Sequence, residues 1–459
     1  MRAGGSKNMK TIFLVIYSGF ISKNLLRTDV LRLLGNKQDV RVVLIVSKSR
    51  EEEYRSLFGS EHVLVEGVES DTTTFLERLW IKFTNNVIET DTLRIQRGGG
   101  PLSPRMGLIK RLIAFLSRTT LNNSLGHALL RKIDMLFGGR QEIRALFDTY
   151  RPSLVFVANL FSVLDIEVLR EAKSRSVYTV GMIKSWDNVT SKGLVRQLPN
   201  KVIVHTEIMR EEMHRFADMK YEDIFVSGVP QYDMYFAPDR MSREEFFKKF
   251  SLDPYKRLIL LLEPGLKLAP HGHEIWDIVE KALERKQLPE DVQVLVSIHP
   301  AYKAREDLIP RHKKLTFVRF GYRLVEGNYK TWEFSEDAAA DLMRAVRHSD
   351  LVLTTFSTMN IEASIFDKPI INIAFEGYQK LPYQKSIAQY KDYTHLQPIV
   401  RSGGVKIANS KEELIAQMNE LLANPAWGSA GRSDIVDKEC VYRDGKSSER
   451  LVKFVLGHV

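Results

Sequence analysis

The tightest constraint on the fold is a set of short, unbroken apolar runs, each followed by a stretch with helical spacing. The runs fall at 11–17 (TIFLVIY), 40–46 (VRVVLIV), 62–66, 153–158, 176–183, 201–205 (KVIVH) and 224–227. A second series falls at 257–263 (RLILLLE), 292–298, 315–320, 350–354 (DLVLT) and 369–374 (PIINIA). A strand with one wet face alternates apolar and polar residues. A strand that stays apolar throughout is buried on both faces, as in a parallel sheet covered by helices. The intervening stretches, among them 23–36, 140–150, 162–174, 207–217, 272–288, 337–348, 357–366 and 410–424, have the 3.6-residue period. Strands alternating with helices predict an α/β chain. The pattern restarts near 257, after the polar, proline-bearing segment 236–256. We therefore expect two doubly wound, Rossmann-like domains, residues 1–240 and 241–459, with a helical insertion at about 70–140 in the first.

Size and composition agree with this and remove several classes. A chain of 459 residues exceeds one ordinary core. The single cysteine, Cys440, excludes an internal disulfide and a cysteine-based metal site. No run reaches the roughly 18 apolar residues of a membrane span, and the apolar run near the start reads as a strand, not a secretion signal. A cytoplasmic location is expected. The net charge of +10 suits anionic partners: phosphorylated substrates, lipid headgroups or nucleic acid. No Cys/His finger and no aromatic RNA-binding strand is present, so nucleic acid is set aside. There is no GxxxxGK[ST], no GxGxxG after the first strand, and no GxSxG. Those absences weigh against an NTPase, a dehydrogenase of the usual kind and an α/β-hydrolase.

Ligands of open α/β sheets bind beyond the carboxyl ends of the strands, so polar residues there carry most weight. In LVSIHPAY (295–302) a buried strand ends in His299-Pro300, with Lys303 and Arg305 following. Proline cannot continue the ladder, and the imidazole can donate to a phosphate oxygen. In LVLTTFSTMNIEAS (351–364) Ser357 and Thr358 stand at a helix start, with Asn360 and Glu362 in its first turn. Such a start offers free N–H groups to an anion, and equally reads as plain capping. The loop IKSWDNVTSKG (183–193) is dense in hydrogen-bonding groups: Trp186, Asp187, Asn188, Thr190 and Lys192. In LEPGLKLAPHGHEIW (262–276) Gly265 permits close backbone approach and Lys267 adds charge, while His271 and His273 lack the spacing and third ligand of a zinc site. SGVPQYD (227–233) reads as a hinge with Gln231 and Asp233 facing the site. Residues 108–118 put Leu108, Leu112, Phe115 and Leu116 on one helical face with Lys110, Arg111 and Arg118 elsewhere, which suits either packing on the first domain or peripheral contact with a membrane.

The combination resembles the GT-B glycosyltransferases. The His299-Pro300 and Ser357-Thr358 pairs look most like the group that uses cytidine-activated donors, which includes the CDP-glycerol glycerophosphotransferases of teichoic acid synthesis and bacterial sialyl- and Kdo-transferases. The resemblance covers the chain from about 150 onward. It implies that His299, Ser357 and Thr358 contact donor phosphates in a cleft between the domains. The chain departs from the glycerophosphotransferases in reading Thr-Phe-Ser-Thr where they tend to read Asp-Tyr-Ser-Ser, which leaves a uridine sugar open as donor. The expected activity is transfer of a glycosyl or glycerophosphoryl group from a nucleotide sugar or CDP-glycerol-like donor to a glycan or lipid-linked hydroxyl acceptor, without metal or cofactor. Gly265, Lys267, His299, Pro300, Lys303, Ser357, Thr358, Asn360 and Glu362 are the expected donor side, and Trp186, Asn188 and Lys192 the acceptor side. Asp187 is the expected base, with Asp165 in reserve, and His299 stabilises the leaving phosphate. A nucleotide-sugar 2-epimerase of the same fold and a non-catalytic envelope protein are the alternatives.

Overall fold

The computed structural model describes residues 9–16, 21–69, 73–98, 119–299, 304–323, 332–333 and 335–459. The chain divides into two compact units, the first built from residues up to Asp233 plus Asp444–Val459, the second from Met234–Arg443.

The first unit holds a seven-stranded sheet: β1 (Lys10–Ile16), β2 (Val40–Ser47), β3 (Val63–Val68), β4 (Leu154–Val157), β5 (Tyr178–Met182), β6 (Lys201–Val204) and β7 (Ile224–Val226), in the order β3-β2-β1-β4-β5-β6-β7. Every pairing is parallel. The unbroken apolar runs are sealed on both faces: Ile12, Phe13, Leu14 and Val15 in β1 and Val42 through Val46 in β2 are wholly buried. Side-chain caps start the covering helices. Ser162 caps Val163–Ser174, and Thr206 caps Glu207–Ala217.

The expected insertion is helical where it is described, with Phe75–Thr84, Asp91–Gln96 and Ser124–Asp134. It is tied by a buried polar knot to the covering helix Val163–Ser174 and to Arg196 and Gln197, which lie between β5 and β6. Asp134, fully buried, accepts from Trp80 Nε1 (2.8 Å), Arg170 Nη2 (2.8 Å), Arg196 Nη1 (3.2 Å) and Gln197 Nε2 (2.8 Å). Burial alone would push its carboxyl up, but the guanidinium groups of Arg170 and Arg196 hold it below the usual range. The amphipathic stretch 108–118 lies outside the described residues.

The second unit holds a six-stranded sheet: β8 (Arg257–Glu263), β9 (Val292–Ile298), β10 (Leu315–Val318), β13 (Leu351–Thr354), β14 (Ile370–Ile373) and β15 (Lys406–Ala408), in the order β10-β9-β8-β13-β14-β15. A separate antiparallel pair, β11 (Tyr322–Arg323) and β12 (Trp332–Glu333), is inserted between β10 and β13 in sequence. Trp276, fully buried, anchors the helix Glu274–Glu284 in this core.

The second unit does not run to the C-terminus as expected from the sequence. The helix Ser447–Leu456 returns to the first unit, where Leu451, Val452 and Val455 join the core of β1 and β2. Phe454 stacks on Phe225 at 4.3 Å. Asp233, expected to face a ligand, instead accepts from the backbone N–H of Ser447 and Ser448, both at 2.8 Å, at the start of that helix. An acidic residue there satisfies donors that the helix cannot.

Candidate functional site

In the second sheet the strand order reverses between β8 and β13, and such a reversal opens a crevice at the carboxyl edge. The loops that leave β8, β9 and β13 carry most of the residues singled out from the sequence. After β8 the chain turns at Gly265 with φ of +80°, a left-handed conformation that favours glycine. Lys267 on that loop is exposed. The same loop borders a small pocket of about 20 Å³ lined by Glu263, Ala269, Trp276, Thr355, Ile373 and Phe375 among others.

His299 follows β9 directly and is half-buried, and its carbonyl accepts from Arg319 Nη1 at 3.0 Å. Glu263 pairs with Ile298 where β8 and β9 end, is buried, and has no hydrogen-bond partner for either carboxyl oxygen. Burial pushes that carboxyl up to about 7, against the opposing pull of the Gly265 and His299 backbone N–H groups and the Arg319 charge. Pro300 and Lys303 lie outside the described residues.

Ser357 and Thr358 both stand half-buried at the loop between β13 and the helix Met359–Ile365. Ser357 Oγ lies 3.1 Å from Thr354 Oγ1 and accepts from the Met359 N–H at 3.3 Å. Thr358 occupies the cap position with helical backbone angles and caps nothing with its side chain.

Two residues of this stretch do not face a ligand as expected. Asn360 is fully buried and exchanges side-chain hydrogen bonds with Asn372 of β14 at 2.7 and 3.1 Å. Glu362 is 2% exposed and receives the Tyr235 hydroxyl. Asn360 ties the helix to the sheet, and Glu362 ties it to the short helix Asp233–Phe236. His271 Nδ1 sits 3.3 Å from Glu274, and no cluster of metal-ligating side chains occurs among the described residues.

At the carboxyl edge of the first sheet, the 183–193 loop follows β5. Asp187 accepts from Ser185 Oγ (2.5 Å), Asn188 Nδ2 (2.9 Å) and Ser191 Oγ (3.3 Å), which fixes its rotamer. Asn188 is therefore a buried support for Asp187 and not a surface contact, whereas Trp186 is half-buried and Lys192 exposed. Gly193, at φ of +89°, lets the loop pass the helix Phe75–Thr84; a Cβ there would lie 2.6 Å from the Asn85 Cα. Asp165 is wholly buried beyond β4, accepting from the Asn159 N–H at 2.9 Å and the Ser162 hydroxyl.

Residues 182–457 match the family described as CDP-glycerol:poly(glycerophosphate) glycerophosphotransferase. The chain belongs to that family. The match takes in the 183–193 loop, all of the second sheet and the returning C-terminal helix. Among curated relatives, a teichoic acid ribitol-phosphate polymerase of Staphylococcus aureus is 25% identical over 244 residues, which is 52% of this chain and 38% of that protein. A teichoic acid glycerol-phosphate primase of Bacillus spizizenii is 24% identical over 203 residues, 43% of this chain and 45% of that protein. The matched region thus spans less than half the length of either relative. Among solved structures, the UDP-GlcNAc 2-epimerase of Neisseria meningitidis superposes with a TM-score of 0.54 at 11% identity, covering 97% of this chain and all of that one. That likeness shows the fold, which is GT-B.

Sequence reasoning passed over three residues that this glycerophosphotransferase-family chain places at its two carboxyl edges. Glu263 ends β8, Lys184 follows β5, and His205 follows β6. His205 is 5% exposed, its Nε2 has no hydrogen-bond partner, and burial pushes its pKa down to about 4. The signal was available: each is a titratable residue at the end of an apolar run, the same cue that drew attention to His299.

Proposed function

We propose that the chain transfers a glycerophosphoryl or related group from a nucleotide-activated donor, CDP-glycerol or a close analogue, to a hydroxyl of a cell-envelope polymer. One observation carries the reading: the family match covers the whole second sheet, and His299, Gly265 and the Ser357-Thr358 pair leave it at neighbouring strand ends around the order reversal. The acceptor hydroxyl attacks the phosphorus that bears the transferred group. The bond from that phosphorus to the bridging oxygen breaks, and the nucleoside monophosphate leaves with the bonding electrons. His299 and the Ser357 and Thr358 hydroxyls donate to the oxygens on which charge grows, and Lys267 adds a positive charge nearby. The first unit supplies the acceptor side, with Asp187 taking the hydroxyl proton and Trp186 and Lys192 holding the acceptor.

The same reading places the protein at the inner face of a membrane, where a lipid-linked acceptor would lie. Among the described residues no helix is long and apolar enough to cross a bilayer. Two helices of the insertion nevertheless turn large apolar side chains outward: Phe75 (68% exposed), Leu76 (67%) and Leu79 (47%) on one, Leu125 (85%) and Leu129 (52%) on the other. Exposed Arg78, Lys82 and Lys132 accompany them. Apolar groups flanked by cations fit an anionic lipid surface.

A thermal-shift panel of CMP, CDP, UDP, GDP and ADP tests the reading, because a ligand that binds the native state raises its melting temperature. Cytidine nucleotides should shift it, and His299→Ala should weaken CDP binding about 10–100-fold, the worth of a hydrogen bond to a charged group. No shift with any nucleotide at millimolar concentration defeats the proposal.

A further inference from the structure

The pocket bordered by the loop after β8 brings together two buried polar side chains. Glu263 is 3% exposed and Trp276 fully buried, and among the described residues neither the Glu263 oxygens nor Trp276 Nε1 has a hydrogen-bond partner. Both residues line this one pocket. We propose that the pocket is a hydration site, in which a single water molecule donates to the Glu263 carboxyl and accepts from the Trp276 indole N–H. The water joins strand ends that carry the donor-side residues. That consequence, and no other part of the inference, rests on the donor-site reading given above.

Size and chemistry select the ligand. A water needs roughly 10–15 Å³ of space and two to four polar partners, and the pocket offers about 20 Å³. That admits one water. The carboxyl accepts and the indole N–H donates, so a molecule between them must do both, as water does. Thr355 lines the same pocket and offers a hydroxyl as a third partner. A cation does not suit the site, because the indole presents only a donor and no second carboxyl lines the pocket. A buried donor and a buried acceptor each carry a desolvation cost when unpaired, and one shared water relieves both.

The walls fix where these groups stand. A Cβ on Gly272, another lining residue, would lie 3.5 Å from Glu263 Oε1, which puts that oxygen beside the turn leading into the helix Glu274–Glu284. Trp276 stands four residues further on, its ring held edge-on against Phe317 at 5.0 Å. The loop after β14 supplies the remaining wall through Phe375 and Ile387. Between those two residues the chain is fastened to the same helix. Glu274 accepts from the Tyr378 N–H at 2.6 Å and from Gln379 Nε2 at 3.2 Å, and the Tyr378 hydroxyl donates to Asp277 at 2.6 Å. Gly377, at φ of +59°, permits that approach, since a Cβ there would lie 2.3 Å from the Glu274 Cβ. The water thus links the end of β8 to the helix that follows it and, through Thr355, to the end of β13, which leads into Ser357 and Thr358.

A double-mutant cycle tests the bridge. Trp276→Phe is made in the native chain, in Glu263→Gln and in Glu263→Leu, and urea unfolding is followed by circular dichroism at one pH. Glutamine keeps an acceptor for the water and leucine does not, and neither ionises. Loss of the indole N–H should raise the unfolding constant about 2–10-fold more in the native and glutamine backgrounds than in the leucine background. The cost of the smaller ring is common to all three and cancels. CDP affinity, measured by calorimetry, should stay near native in Glu263→Gln and fall about 2–10-fold in Glu263→Leu. A crystal structure of the full chain should show the water within hydrogen-bond distance of both groups, which decides the matter even where a double variant is too unstable to titrate. Equal effects of Trp276→Phe in all three backgrounds overturn the hydration site, as does a crystal structure in which both groups bond only to protein. Unchanged CDP affinity in Glu263→Leu overturns the link to the donor loops. A native chain that binds no CDP defeats the donor reading, while the cycle still judges the water.

Discussion

Replacing Asp165 by asparagine should stabilise the protein, and more so as pH rises. Asp165 is fully buried beyond β4, and burial pushes its carboxyl from 3.8 up to about 7 despite hydrogen bonds from Ser162 and the Asn159 N–H. The sign follows from linkage. The unfolded chain releases this proton near its ordinary value, whereas the folded chain holds it until about 7. Between those values the native state binds more protons than the unfolded state, so stability falls as pH rises. A shift of about three units at roughly 1.36 kcal/mol each amounts to about 4 kcal/mol, absent at low pH and fully expressed above the folded value. Asparagine has nothing to ionise. Its carbonyl can keep the Asn159 N–H, and the Ser162 hydroxyl can rotate to accept from its amide. Urea unfolding followed by tryptophan fluorescence, from acid to mildly alkaline pH, should show the Asp165→Asn advantage growing by about 4 kcal/mol across the range. An advantage that stays constant with pH would falsify the burial argument. A second expectation accompanies it: if the carboxylate at this sheet edge serves the acceptor side, the more stable variant should turn over more slowly.

The buried polar knot of the insertion should be fragile. Asp134→Ala leaves the Arg170 and Arg196 guanidinium groups buried without their shared partner, and loss of one side of such a group costs about 3–5 kcal/mol; a loss below about 1 kcal/mol by denaturant titration would mean that solvent reaches the knot. Leu125→Glu with Leu129→Glu should leave folding intact, because both side chains are exposed, yet reduce sedimentation with vesicles containing anionic lipid. Unchanged sedimentation would remove the outward leucines from the membrane-facing role.

The α/β class was legible because burial on both faces writes itself into residue type. β1, β2, β8 and β9 coincide with runs of apolar residues that only a covered parallel sheet explains. The return of Ser447–Leu456 to the first unit was not legible. An amphipathic helix states that one face is buried but not against which core, and its partners, β1, β2 and the capping Asp233, are more than 200 residues away in sequence. Asn360 and Glu362 show the same limit at a smaller scale. Their places in the first turn of a helix were correctly read, but the direction of each depended on a partner elsewhere, Asn372 on β14 for one and Tyr235 for the other.

What sequence spacing supplies is the position of a residue along its strand; what it withholds is which strands lie side by side. Every apolar run ending in a polar residue therefore carries equal weight until strand order is known. The order β10-β9-β8-β13-β14-β15 breaks that tie. It puts the ends of β8 and β13 at the reversal and β9 immediately beyond, so that His299, Gly265 and Ser357 become neighbours although they span 92 residues of chain. It also explains why Glu263 was passed over. Read along the chain, it is an acidic residue before a proline. Read across the sheet, it is a buried carboxyl at the end of β8, paired in register with the last residue of β9.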